Sequence, residues 1–192
     1  MNRPANKSDH LLARAGLYEF YARLLERELD IETLSAFNAD PLQSGFVTLD
    51  IEIPNSNRET VEDLAIDFCH IFIGPRDFVP PYQSVWESGQ FESAATDSMS
   101  EYLEIITPQT DYQFKDHAGL QLEMMSFILQ RQHHIQDCND LASVFFARHV
   151  DWIGDMLNAA ARRSETPFYQ SVLTAGSEFL RDEQLEFTGA ST

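Results

Sequence analysis

Basic residues are scarce in this chain: 13 Lys and Arg stand against 31 Asp and Glu, a formal net charge of −18 with a pI near 4.5. That balance argues against nucleic acid and anionic membrane as partners, since both are held by clustered Lys and Arg. Cysteine is sparse too. Cys69 and Cys138 make neither a paired-thiol motif nor a disulfide framework. No run of 18 apolar residues occurs, and the opening MNRPANKSDH has no apolar core of a secretory leader, so a cytoplasmic protein without membrane insertion is expected. The eight glycines build no G-x-x-x-x-G-K-[ST] loop and no G-x-G-x-x-G turn, and no serine elbow is present. No catalytic signature and no cofactor motif remain.

What is present is ordinary for a globular protein, with 43% hydrophobic and 23% charged residues. A chain of 192 residues buries roughly 70% of its unfolded surface and needs no cross-links. The acid is concentrated in the middle. Residues 50–123 hold fifteen acids against only Arg58, Arg76 and Lys115, a net charge of −12. This segment is either a solubilising surface or a field that draws in a cationic ligand.

Periodicity is mostly helical. Leu11, Ala15, Tyr18, Ala22 and Leu25 mark a first helix with Ser8 or Asp9 placed to cap it, and Asp30 is placed to cap a second carrying Ile31, Leu34 and Phe37. A third runs from about Thr60, with Val61, Leu64, Ala65, Phe68 and Phe72 inward, and ends by Gly74-Pro75. A fourth spans about 95–106, showing Met99, Tyr102, Leu103 and Ile106. A fifth opens at Asp116 as N-cap and is apolar nearly all round, which predicts burial on several sides. A sixth covers about Asn139 to Arg163 with Leu141, Phe145, Trp152 and Met156 on one stripe, and a seventh opens at Thr166-Pro167. Only the run 47–53 dissents. Val47, Leu49, Ile51 and Ile53 alternate with polar residues as in a strand, yet no second such run exists to pair with it, so an extended connection or irregular helix is expected. The expected fold is all-α: one bundle-like helical domain over 1–192, with six or seven main helices and a possible hinge at 107–117.

Metal chemistry finds little support. Asp67-x-x-His70 puts a carboxylate and an imidazole on one helix face, but di-iron helical sites need two such pairs and two further glutamates. His133-His134 are adjacent rather than spaced, and Cys69 and His70 point about 100° apart on a helix. A helical metalloenzyme using Asp67, His70 and His117 is the alternative from another functional class.

Two motifs read as binding surfaces. In DFCHIFIGPRDFVPPYQSVWESGQF, residues 67–91, a helix end leads into a stiff Pro80-Pro81 stretch flanked by Phe72, Phe78, Tyr82 and Trp86. In KDHAGLQLEMM, Asp116-His117 opens the buried helix. The order of these motifs, with FFARHVDWIGDML and PFYQSVL after them, resembles the TorD/DmsD family of redox-enzyme maturation chaperones over about residues 10–183. The resemblance implies a non-enzymatic, cytoplasmic, all-helical chaperone. Its partner would be the precursor of a molybdopterin oxidoreductase catalytic subunit, bound through the twin-arginine leader until the cofactor is inserted. A nitrate-reductase-type assembly chaperone with a non-exported client is the alternative within the family. By position, Phe68, Ile71 and Phe72 match the family's apolar helix end, Tyr82 its proline-loop aromatic, and Asp116 and His117 its Asp-His pair. Tyr18 or Tyr21 matches an N-terminal tyrosine. Lys115 stands where proline commonly precedes Asp-His, and Trp86 where tyrosine is frequent. The client's identity, the leader's groove and self-association into a homo-oligomer are left open.

Overall fold

The structure, a computed structural model, describes residues 7–106, 114–132 and 139–189. His133, His134, Cys138 and most of the expected 107–117 hinge lie outside them. The described residues are helical without a named strand, as the periodicity predicts, and they divide into two compact units. The first is Met1–Glu26, Pro81–Trp152 and Asp182–Thr192, the second Arg27–Pro80 and Ile153–Arg181. In chain order the helices are α1 (Lys7–Glu26), α2 (Ile31–Phe37), α3 (Leu42–Thr48), α4 (Arg58–Phe68), α5 (Gln83–Ser88), α6 (Ala94–Ile106), α7 (Ala118–Gln132), α8 (Asn139–Phe145), α9 (Asp151–Arg163) and α10 (Pro167–Thr188). Two π-helical turns, Cys69–Ile73 and Phe146–Val150, extend α4 and α8.

In the first unit α7 is the central element, packed most extensively against α1. Ala118 to Leu122, Met124 to Ser126, Ile128 and Leu129 are all buried, as its nearly uniform apolar surface predicts. Ser126 Oγ donates to the Ala15 carbonyl at 2.8 Å, tying the two helices together. The C-terminal stretch of α10 also belongs here. Glu183 accepts a bidentate pair of bonds from Arg14 Nε and Nη2, both 2.7 Å, and a third from Tyr18 OH at 2.9 Å. Burial, then the Glu183 charge, holds the Tyr18 phenol well above its usual pKa.

The second unit has an aromatic core. Phe37 packs with Phe46 and Phe168 at ring separations of 5.2 and 6.0 Å, and Phe68 with Phe72 at 5.1 Å and Tyr169 at 6.4 Å. The expected caps of α2 and α10 are in place: Thr33 N donates to Asp30 Oδ1 at 2.7 Å, and Tyr169 N to Thr166 Oγ1 at 3.4 Å. Asp67 is a structural residue rather than a metal ligand. Its Oδ1 accepts from Glu165 N at 2.9 Å, and its Oδ2 from Thr166 N at 2.8 Å and Thr166 Oγ1 at 2.6 Å. These bonds satisfy donors at the start of α10 from a carboxylate almost a hundred residues earlier. Asp67→Ala is therefore expected to cost about 2–4 kcal/mol in urea denaturation, the loss of a cap plus buried unpaired donors. Asp67→Asn should fall between wild type and alanine.

Several boundaries differ from expectation. α1 starts at Lys7, so Ser8 and Asp9 lie inside the first turn, where Asp9 favours the helix dipole. α4 starts at Arg58 because Asn57 caps it, accepting from Thr60 N at 2.9 Å. Val61 and Ala65 are only partly buried, and Leu141 lies outside its supposed inward stripe. The short helices α3 and α5 carry too few turns for periodicity to reveal them. The alternating run 47–53 splits in two: Val47 and Thr48 finish α3, and the rest is an irregular connection. At the junction Asp50 takes φ 54°, with Asp50 N donating to Val47 O and Ile51 N to Phe46 O. This is a Schellman ending, with Ile51 and Phe46 both buried as its apolar pair.

Candidate functional site

In the first unit the Pro81-Tyr82 stretch meets the start of α7. Ala118 N donates to Pro81 O at 2.8 Å and Gln83 N to Asp116 O at 3.1 Å, an isolated antiparallel bridge between Tyr82 and His117. The later part of the first motif, from Pro81 on, and the Asp116-His117 motif are thus one structural feature, while residues 67–80 belong to the second unit. Asp116 does not cap its own helix. Its Oδ2 accepts from Ser84 N at 2.7 Å, capping α5 from a distance, while His117 Nδ1 caps α7 by accepting from Gly119 N at 3.0 Å. Asp116 is fully buried, and its Oδ1 finds no hydrogen-bond partner among the described residues. Burial lowers the His117 pKa to about 4 against the opposing pull of the Asp116 charge. Burial, then Asp116, raises that of Tyr82.

Beside this bridge lies an aromatic surface. Tyr82 meets Phe91, Phe114 and His117 edge-on, with ring centroids 5.4, 5.6 and 5.2 Å away, and Phe91 stacks on Phe114 at 5.1 Å. Trp86 lies 6.1 Å from Trp152. Phe91 and Trp86 are exposed by 50% and 38%.

Behind it runs a buried polar network that sequence reasoning did not assemble. Gln83 Oε1 accepts from Gln121 Nε2 at 2.6 Å and lies 3.0 Å from His149 Nδ1, while His149 Nε2 lies 2.9 Å from Ser98 Oγ. Gln83 Oε1 can only accept, so His149 Nδ1 carries the proton and Nε2 accepts from Ser98. Gln83 Nε2 donates to Arg148 O and Glu87 Oε1, both 2.7 Å, and Trp152 Nε1 to Gln121 Oε1 at 2.9 Å. Burial foremost, then Arg148, lowers the His149 pKa to about 4, with Asp116 opposing. Ser98, His149 and Gln83 have the order of a catalytic triad, but the serine and histidine are sealed from solvent and the third member carries no charge. The arrangement locks α5, α6, α7 and the second π-helical turn together. Gln121, an amide set between Leu120 and Leu122 in the most apolar part of α7, was the signal of it in the sequence.

The structure divides the expected site residues. Tyr18, Tyr21, Tyr82, Trp86, Asp116 and His117 belong to the first unit, and Phe68, Ile71 and Phe72 to the second. Tyr18, Tyr21, Asp116 and His117 are buried, as are Phe68, Ile71 and Phe72. Tyr82 and Trp86 keep exposed area, joined by Phe91 and Phe114, which the sequence reading had not singled out. His70 sits between Arg163 Nη2 at 2.8 Å and Glu165 Oε1 at 3.2 Å. No group of acidic, histidine or cysteine side chains able to hold a metal occurs among the described residues.

A family model described as nitrate reductase delta subunit matches residues 35–158. The chain belongs to that family. It is 28% identical over an alignment of 161 residues to the chaperone protein TorD of Psychrobacter sp. (strain PRwf-1), covering 65% of this chain and 73% of that protein. The crystal structure of an Archaeoglobus fulgidus protein described as a redox enzyme maturation protein superposes with a TM-score of 0.59, at 20% identity, over 88% of this chain and 93% of that one. The fold is therefore TorD-like, as the motif order implied. No described helix is long and apolar enough to cross a membrane.

Proposed function

We propose that this protein is a redox-enzyme maturation chaperone that binds the precursor of a molybdopterin oxidoreductase catalytic subunit in the cytoplasm, through its twin-arginine leader. Membership of the family supports the chaperone reading, and a curated relative carries the name TorD. The observation that carries the leader reading is the bridge between Tyr82 and His117 with the half-exposed aromatic surface beside it. An aromatic face built on a proline-stiffened segment offers apolar contact at small entropic cost, which suits the apolar stretch of a leader. The acidic middle of the chain supplies long-range attraction for its arginines. Asp116, fully enclosed, serves here by holding α5 and its aromatic neighbours in place rather than by meeting arginine directly.

A leader peptide should bind the purified protein, and replacing both arginines by glutamine should weaken binding. Raising salt should slow association more than it speeds dissociation, because exposed charges are screened beyond about 8 Å and steering acts on encounter. Trp86→Ala should instead speed dissociation. Indifference to the arginines and to Trp86 would remove the leader from this reading. The description of the matching family as nitrate reductase delta subunit favours a second reading, assembly of a client that is not exported. Identifying the precursor that co-purifies from the native cytoplasm, with or without a twin-arginine leader, decides between the two.

A further inference from the structure

The strand-like run that found no partner acquires a use in the second unit. After the Schellman ending of α3, the chain crosses an open groove of about 470 Å³, lined by Glu52, Ile53 and Pro54 of the connection and by Asp63, Leu64 and Phe168 of the flanking helices. Ile51 points into the core, Glu52 is exposed and Ile53 is half-buried, the inside–outside alternation of a strand. Ile53 precedes Pro54 and is thereby restricted to extended backbone. Yet no described residue hydrogen-bonds the amide or carbonyl of Glu52 or Ile53. Unpaired extended backbone with strand-favouring side chains is what an added strand pairs with. Among the described residues the groove's charges are all of one sign: Asp50, Glu52 and Asp63 line it, and no Lys or Arg does.

We propose that segment 51–55 is a docking edge for an extended, basic peptide segment of a partner polypeptide, which adds to it as a short β-strand. Its backbone pairs with the amide and carbonyl of Glu52, those of Ile53 facing the opposite side of an extended chain. Its apolar side chains rest on Ile53, Pro54 and Phe168, and its cationic side chains meet Glu52 and Asp63. Pro54, which has no amide hydrogen, ends the pairing after a few residues and prevents open-ended sheet growth. This goes beyond the leader surface of the first unit and is independent of it.

The test is a titration of the full chain with a labelled peptide of alternating arginine and valine. A peptide of alternating glutamate and valine, and an arginine–valine peptide N-methylated on alternate residues, serve as controls. The basic peptide should bind, the acidic one should not, and N-methylation should weaken binding by about tenfold or more through lost backbone bonds. Glu52→Gln with Asp63→Asn, both exposed positions, should weaken it by about tenfold. Hydrogen exchange at the Glu52 amide should slow in the complex. Trp86→Ala in the first unit should leave this binding unchanged while impairing leader binding. No binding, equal binding of the N-methylated peptide, or unaltered binding by the double variant would each overturn the proposal.

Discussion

Glu183→Gln is expected to cost about 3–5 kcal/mol of stability, read as a fall in the urea midpoint at unchanged slope. Arg14 and Glu183 are both buried, and their two parallel 2.7 Å bonds are the compensation for removing both charges from water. A glutamine keeps the volume but places an amide hydrogen against one guanidinium nitrogen and leaves Arg14 charged and enclosed. The guanidinium also lies 5.1 Å from the Phe187 ring centroid, too small an attraction to offset that loss. The pair need not be stabilising in itself. Arg14→Met, Tyr18→Phe and Glu183→Leu together remove every member of the cluster at similar volume and should cost less than Glu183→Gln alone. A single variant within about 1 kcal/mol of wild type would show that water reaches the cluster and that the bonds carry little.

Acidification from pH 6.5 to pH 4 should destabilise the fold through His117 and His149. Both are buried, with pKa values lowered to about 4, whereas the unfolded chain's histidines titrate near 6.5. Above that value neither state binds the protons. As pH falls through the window the unfolded state takes them up and the native state does not, so stability falls with pH and levels off below about 4. Each histidine contributes about 3 kcal/mol to that loss. Part is offset because protonating carboxylates relieves the repulsion of a chain with net charge −18. Glu123 is one such group, its pKa raised by burial and then by Glu26 and Glu19. Comparison with His149→Gln isolates the histidine term, since that variant should lose about half of the pH dependence whatever its stability at pH 7. An unchanged slope between pH 6.5 and pH 4 would mean that His149 is protonated in the folded protein.

The sequence by itself determined the helical class and most helix spans, because periodicity and end signals act within a few turns. The Asp30 and Thr166-Pro167 caps and the all-round burial of α7 follow from residues three or four apart. Motif order was enough to reach the family, and the aromatic loop and Asp116-His117 were each visible as letters. What the tertiary structure decided involves partners far apart in the chain. Asp67 serves residues 165 and 166, Ser84 is served by Asp116, and Gln83 joins Gln121 and His149. No local rule says which buried polar group will meet which, so Asp67 was visible only as an unsupported metal-ligand pattern and Asp116 read as the cap of its own helix. The run 47–53 is the same lesson in backbone form. Its alternation records a preference for strand, but a strand needs a neighbour, and with none in the described chain one half closed α3 while the other stayed open beside an acidic groove.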